Sequence, residues 1–203
     1  LREQTFTDIY DDSMWLINLV ENLLAVTRIE GGQVNLTRSI ELMDEVVSEA
    51  LKHINRKSKE HTIRVTSGKD FILAHIDAKL IVQVIINLVD NAIKYNYHGG
   101  RVIVLAQITS PTVLEISISD TGRGISPENL PRVKEKFYKT DNTVAGSGIG
   151  LAVADEIVKL HGGTLNIDSI LNEGTTVTIT LPIEAVTYTD EKEVHDEEAK
   201  NSN

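Results

Sequence analysis

Apolar positions recur at helical spacing through residues 5–30, where Ile9, Leu16, Leu19, Leu23 and Val26 form one stripe and Ile17, Val20 and Leu24 an adjacent one. So wide an apolar face suits a helix in a bundle better than a lone surface helix. The plainer alternative is an ordinary helix packed on its own domain. Gly31-Gly32 ends the pattern. A short strand is expected near Val34–Leu36. Met43, Val46, Val47, Ala50, Leu51 and Ile54 then mark an amphipathic helix, with Asp44 and Glu45 early, where the helix dipole favours anions. Strands are predicted at Thr62–Val65 and Ile72–Ile76, and a third helix from Ala78 to Tyr95. Two further strands follow, Arg101–Ile108 and Val113–Ser119. The second sets Leu114, Ile116 and Ile118 against Glu115, Ser117 and Ser119, so one sheet face is buried and the other polar.

Residues 134–147 lack periodicity and predict a mobile loop. A helix is expected from Ile149 to Leu160, stopping at His161-Gly162-Gly163, before two alternating strands, Thr164–Ser169 and Thr175–Leu181. From Glu184 onward the chain is acidic and aperiodic, which predicts a disordered tail. No internal repeat is present. Strands and helices in this order predict an α+β fold with a mixed sheet carrying helices on one face.

Composition narrows the function. Hydrophobic residues make up 41% of the 203 and aromatics only 4%, so the core is aliphatic. A formal charge of -10 argues against a nucleic-acid binder, which needs a basic surface to displace counterions. A nucleotide site needs only a few local donors. The absence of cysteine excludes a disulfide framework and a thiolate metal site. No run of 18 apolar residues and no signal peptide occur, so no membrane contact is expected from this stretch. Residue 1 already lies in a helical pattern, which suggests a start inside a longer protein.

Three separated motifs carry candidate chemistry. On the third helix, Asn87, Asn91 and Lys94 stand at i, i+4 and i+7 and share a face away from the apolar one. Two carboxamides and an ammonium on one stripe can hold magnesium and triphosphate oxygens. A solvated polar face is the bland alternative. Asp120-Thr-Gly122-Arg-Gly124-Ile125 follows a strand directly. An aspartate there can accept from an exocyclic amine, and glycines admit a flat base; a plain turn explains the same residues. Gly146-Ser147-Gly148-Ile149-Gly150-Leu151 opens a helix, where exposed N–H groups and the dipole favour phosphate. It follows no strand of a βαβ unit, which argues against a Rossmann site, and a P-loop motif is absent.

In order and spacing these motifs resemble the N, G1 and G2 boxes of the GHKL ATPase superfamily, and within it the sensor histidine kinases. Glu135-Lys-Phe137-Tyr138-Lys139 resembles the F box, and His161-Gly162-Gly163, Glu173-Gly174-Thr175-Thr176 and Leu181-Pro182 the usual ending. Asp12-Ser13-Met14-Trp15-Leu16 with Val20-Glu21-Asn22-Leu23-Leu24 is similar to the KdpD-type subfamily. The resemblance implies a two-layer α/β sandwich of the Bergerat type. It implies a second dimerisation-domain helix over residues 1–32, a catalytic domain over 33–183, and the acidic tail over 184–203. It further implies that the chain binds ATP with Mg2+ and passes the γ-phosphoryl group to a histidine.

By that resemblance Asn87, Asn91 and Lys94 are the catalytic residues. Asn91 ligates magnesium, Asn87 supports metal and phosphates, and Lys94 contacts phosphate. Tyr95 lines the pocket, Asp120 takes the adenine amino group, and Gly122 and Gly124 shape its surroundings with Ile125. Gly146, Gly148 and Gly150 hinge a lid and meet the phosphates, with Ser147, Ile149 and Leu151 beside them. Phe137 anchors the closed lid, and Thr175, or equally Thr176, assists at the adenine. Implied partners are ATP or ADP, a second copy in the full-length receptor, and a cytoplasmic response regulator. The implied location is the cytoplasmic part of a membrane-bound receptor.

Two departures stand out. None of His53, His61, His75, His98, His161 or His195 is followed by the acidic residue and Arg-x-Pro of the family's phosphoacceptor, so that helix is expected upstream of residue 1. Val133-Lys134-Glu135 also stands where relatives carry an apolar Ile-Phe pair, so lid packing is expected to differ. Competing readings are a hydrolytic relative and a non-catalytic nucleotide-binding or dimerisation module. Hydrolytic members use a glutamate where Asn87 stands, and a carboxamide is no base. Intact Asn91, Asp120 and lid glycines oppose the non-catalytic reading.

Overall fold

The computed structural model describes residues 2–32, 35–54, 61–67, 71–141 and 146–183. Helix α1 spans Arg2–Glu30, strand β1 Ser39–Leu42, helix α2 Met43–Lys52, and strands β2 and β3 Thr62–Ser67 and Leu73–Ile76. Helix α3 follows at Ala78–Lys94, then β4 at Arg101–Ser110, β5 at Val113–Asp120, α4 at Gly150–Leu160, β6 at Thr164–Ile170 and β7 at Gly174–Pro182. A 3-10 turn at Leu130–Arg132 precedes the lid. The expected acidic tail lies outside the described residues, as do residues 142–145 of the expected loop.

Five strands form one mixed sheet in the order β2-β4-β5-β7-β6. β2 runs parallel to β4, and every other pairing is antiparallel. β1 and β3 make a separate antiparallel pair. This is the α+β, Bergerat-type architecture read from the sequence, with α3 and α4 packed together on one face of the sheet. Period-two alternation explains the division between faces. Leu114, Ile116 and Ile118 of β5, with Ile179 and Leu181 of β7, are buried against Ile81, Ile85 and Leu88 of α3 and Ile157 of α4. Thr176, Thr178 and Thr180 alternate with the buried set and take the opposite face.

The strand expected at Val34–Leu36 does not form: Val34 lies outside the described residues, and Asn35 and Leu36 have no regular structure. The strand sits instead at Ser39–Leu42, because its partner is remote. Ser39 pairs with Ile76 and Leu42 with Leu73. Among its described side chains, helix α1 buries one edge. Asn22 and Val26 are buried and Leu19, Ala25 and Ile29 partly so, whereas Ile9, Leu16, Ile17, Val20, Leu23 and Leu24 remain about half exposed. The wide stripe is therefore mostly uncovered within one chain.

Asp77 and His161 tie the helical layer together. Asp77 caps α3, its Oδ1 accepting from Leu80 N–H at 3.2 Å and its Oδ2 from Thr37 N–H at 3.0 Å. Its own N–H donates to His161 Nε2 at 3.1 Å, while His161 Nδ1 lies 2.9 Å from the Ile157 carbonyl. An N–H pointing at Nε2 and a carbonyl at Nδ1 fix the neutral tautomer protonated on Nδ1. Burial pushes the His161 pKa below its ordinary 6.5, against a smaller raising influence from the Ile157 carbonyl. Just below that ordinary value the unfolded chain thus binds more protons than the folded one. His161 contributes fully above about pH 6.5 and loses its contribution as pH falls below it. We expect urea midpoints to drop between about pH 7.5 and about pH 5.5, with a shallower drop in His161→Gln. Equal slopes in the two proteins would show that the ring is not the titrating group.

Candidate nucleotide site

A cleft of about 150 Å³ opens between α3, the ends of β5 and β7, the lid and the start of α4. Its position follows from three local choices. Asn87, Asn91 and Lys94 stand at i, i+4 and i+7 along one side of α3, and all three line the cleft. Asp120 closes β5, where the register pairs it with Thr175. Gly148 and Gly150 bring the lid back into α4 beside Asn87, to which a side chain on Gly150 would stand at 3.5 Å.

The Asp120 carboxylate is built in. Its Oδ1 accepts from Gly122 N–H at 2.8 Å and from Thr175 N–H at 3.3 Å, and Oδ2 carries neither bond. Burial raises its pKa, against the lowering effect of those two N–H groups. A carboxylate held on one oxygen in a half-buried wall presents the other to an amine donor. Gly122 is there for space: a Cβ would fall within 2.5 Å of the Tyr95 carbonyl and 2.8 Å of Asp120 Oδ1. Tyr95 completes that wall, its phenol pKa raised by burial first and then by Asp141 and Asp90.

The end of the cleft formed by Lys94 and the start of α4 is polar. Lys94 Nζ pairs with Asp90 Oδ2 at 2.5 Å, one helical turn away. The start of α4 carries no side-chain cap and no acidic residue in its first turn, and its first residues, Gly150 and Leu151, line the cleft. Ser147 Oγ accepts from Ile149 N–H at 3.3 Å. Among the described residues no group of three His, Cys, Asp or Glu surrounds a point in space. The donors available are carboxamide oxygens with Asp90 nearby. Such a set fits magnesium, which takes oxygen ligands and completes its shell with phosphates and water.

The cleft is lined by Asn87, Asn91, Lys94, Tyr95, Asp120, Gly124, Ile125, Gly146, Ser147, Gly148, Gly150, Leu151 and Thr175. Three predicted residues do not line it. Gly122 packs beneath Asp120, and Ile149 is buried in the core at 2% exposure. Phe137, expected to anchor the lid, is 68% exposed. Its backbone adopts φ +65 while its N–H donates to the Gly148 carbonyl at 2.8 Å, so the chain turns there and carries the ring outward. Between the two threonine candidates the geometry separates cleanly. Thr175 faces the cleft, and Thr176 reaches Ser119 Oγ at 2.9 Å on the other side of the sheet.

Sequence reasoning missed Asn18, Leu19 and Asn22 of α1, which wall the cleft beside Asn87. The available signal was a carboxamide at position 22 inside an apolar stripe. It also missed Lys139 and Thr140 of the lid. The departure at Lys134 has a physical answer. Its ammonium reaches under the lid to Asp155 Oδ1 at 2.9 Å, and Asp155 Oδ2 meets Lys159 at 2.8 Å. Burial pushes the Asp155 pKa up, but hydrogen bonds from Lys159 and Lys134 outweigh it and hold the carboxyl below its ordinary value.

A mixed sheet backed by helices, with a carboxamide-bearing helix and a glycine-bordered flap around one cleft, defines a nucleotide-binding ATPase fold. Residues 76–185 match the family described as Histidine kinase-, DNA gyrase B-, and HSP90-like ATPase. Sensor protein KdpD of Clostridium acetobutylicum is 36% identical over 168 residues, covering 81% of this chain and 19% of that protein. The solved mycobacterial sensor histidine kinase MprB superposes with a TM-score of 0.66 at 30% identity, covering 73% of this chain and 99% of that one. Full-length ShkA, solved with AMPPNP, shares the fold at a TM-score of 0.77 and 20% identity, covering 92% of this chain and 40% of that one. The chain therefore belongs to the histidine kinase-, gyrase B- and HSP90-like ATPase family, in its sensor histidine kinase branch. It spans only about a fifth to two fifths of the curated relatives it matches first. No helix among the described residues is long and apolar enough to cross a membrane.

Proposed function

We propose that this chain binds ATP with magnesium and transfers the γ-phosphoryl group to a histidine on a separate helix, as the catalytic part of a sensor histidine kinase. The carrying observation is convergence: Asn91, Asp120 and Gly148, from three distant segments, wall one cleft. Asp120 receives the adenine amino group, with Thr175 below it. Lys94 and the α4 N-terminus hold phosphate oxygens, and Asn87 and Asn91 supply carboxamide oxygens where magnesium accompanies the triphosphate. Magnesium, when bound with the nucleotide, neutralises phosphate charge. The chain's own share is positioning in a partly dried cleft. A neutral imidazole nitrogen forms the bond to phosphorus as the bond to the β-phosphate oxygen breaks, with ADP as leaving group. The imidazole's own lone pair suffices, so no base is required of Asn87. Hydrolysis is disfavoured because the Asn87 carboxamide cannot act as a base toward water.

We infer that residues 1–32 belong to the dimerisation domain, residues 33–183 to the catalytic domain and residues 184–203 to an appended tail. The half-exposed stripe of α1 supports pairing with a second copy in the full-length receptor. A cytoplasmic response regulator would receive the phosphoryl group, and the parent protein would be membrane-bound. The test uses γ-labelled ATP. Alone, this chain is expected to stay unlabelled; added to a polypeptide carrying a His-Glu/Asp-x-Arg-x-Pro helix, it is expected to label that polypeptide. Label on this chain itself, or none on the acceptor, would count against the proposal.

A further inference from the structure

Helix α1 lends a side chain to the nucleotide cleft. Asn22 and Asn87 face each other as a reciprocal amide pair: Asn22 Nδ2 donates to Asn87 Oδ1 at 3.1 Å, and Asn87 Nδ2 donates to Asn22 Oδ1 at 2.9 Å. Gln83 Nε2, one turn before Asn87, donates to Asn22 Oδ1 at 3.2 Å and lies 3.5 Å from Asn87 Oδ1. Both asparagines are only 5% exposed. Asn22 stands among Leu19, Leu23 and Val26, where an unpaired carboxamide is disfavoured, and its pairing on α3 fixes where α1 rests.

We propose that this pair is a latch: Asn22 positions Asn87 on α1, so that the docking of α1 and the filling of the phosphate end of the cleft compete. The proposal rests on the nucleotide reading above. Two amide N–H dipoles converge on Asn87 Oδ1, and a cation approaching that oxygen meets their positive ends. A hard cation or its bound phosphate can use Asn87 only after the carboxamide turns away from Asn22. That leaves both amides unsatisfied unless α1 lifts and water takes its place. Asn18 and Leu19, one turn earlier on α1, wall the same end of the cleft and leave with the helix. Nucleotide loading is thereby coupled to release of α1 through one pair of side chains on two separate elements.

A nucleotide that binds the released state has its apparent affinity reduced by the fraction of molecules released. If the latch holds that fraction near a tenth, removing it tightens binding about tenfold. The test compares wild type with Asn22→Ala for Mg-AMPPNP by calorimetry. The chain has no cysteine, so Ser13→Cys on α1 and Thr112→Cys on the β4–β5 turn can carry a spin-label pair. We expect Asn22→Ala to bind about tenfold tighter. We also expect the label separation to widen on adding Mg-AMPPNP to the otherwise unaltered chain, and to be wide already in Asn22→Ala. Wild-type binding with Asn22→Ala within about twofold of it, or with unchanged label separation, overturns the latch and leaves the nucleotide reading standing. No Mg-AMPPNP binding by the wild-type chain overturns both.

Discussion

Asp120→Ala is expected to lower affinity for an ATP analogue at least about a hundredfold, the loss of a charge-assisted hydrogen bond of about 3 kcal/mol. The substitution does more than delete one acceptor. It also strands the Gly122 and Thr175 N–H groups that Oδ1 now receives, so the wall behind the base loses its shape. Asp120→Asn separates the two effects. Its carboxamide oxygen can keep both backbone bonds, while the other atom becomes an NH2 donor. Adenine then meets a donor where it needs an acceptor, whereas a 6-oxopurine gains a partner. Calorimetry with ATP and GTP analogues should show ATP weakened and its preference over GTP narrowed in the asparagine variant. Unchanged ATP affinity in both variants would remove Asp120 from the adenine site.

Gly124→Ala is expected to be the most damaging small substitution around the cleft. Gly124 has φ +63, a left-handed backbone that L side chains adopt at a cost of about 1 kcal/mol. A Cβ there would also overlap the Ile170 carbonyl oxygen at the end of β6, a backbone atom held by the sheet. Such overlap costs about 2 kcal/mol more. Together these should lower the thermal midpoint by about 8 °C in a chain of this size, with a parallel loss of nucleotide affinity. Gly146→Ala is the matched control: a Cβ there meets nothing, and its midpoint should stay within about 1 °C of wild type. Equal midpoints for the two variants would show that the turn after Asp120 yields easily.

Much of this was legible from residue pattern alone. The α3 face was readable because eight of its nine buried residues are apolar and Asn87 is the single exception. β5 was readable because strict alternation leaves one assignment of faces. Alternation with Val177, Ile179 and Leu181 puts Thr175 and Thr176 on opposite faces, but the register opposite Asp120 on β5 is what places Thr175 at the cleft. β1 was misplaced because a four-residue strand is decided by its remote partner, β3, rather than by local preference. The outward turn of Phe137 was not legible, because it rests on a left-handed backbone and on the bond from its N–H to the remote Gly148 carbonyl. The contribution of α1 was hidden for a different reason. Asn22 looks like an ordinary polar interruption until the helix is laid against Asn87.

Lys134 gives the flap a root unlike an apolar one. A greasy anchor tightens in salting-out solutions and is indifferent to simple electrolytes. A lysine bound to a carboxylate that is itself shared with Lys159 weakens as ions screen it, though only in part because the Asp155 side chain is 10% exposed. Ionic strength therefore becomes a control on how firmly the root of the flap holds, at a point away from the Asp120 end of the cleft. Two chains with the same cleft and different residues at this root would part company as the electrolyte around them changes.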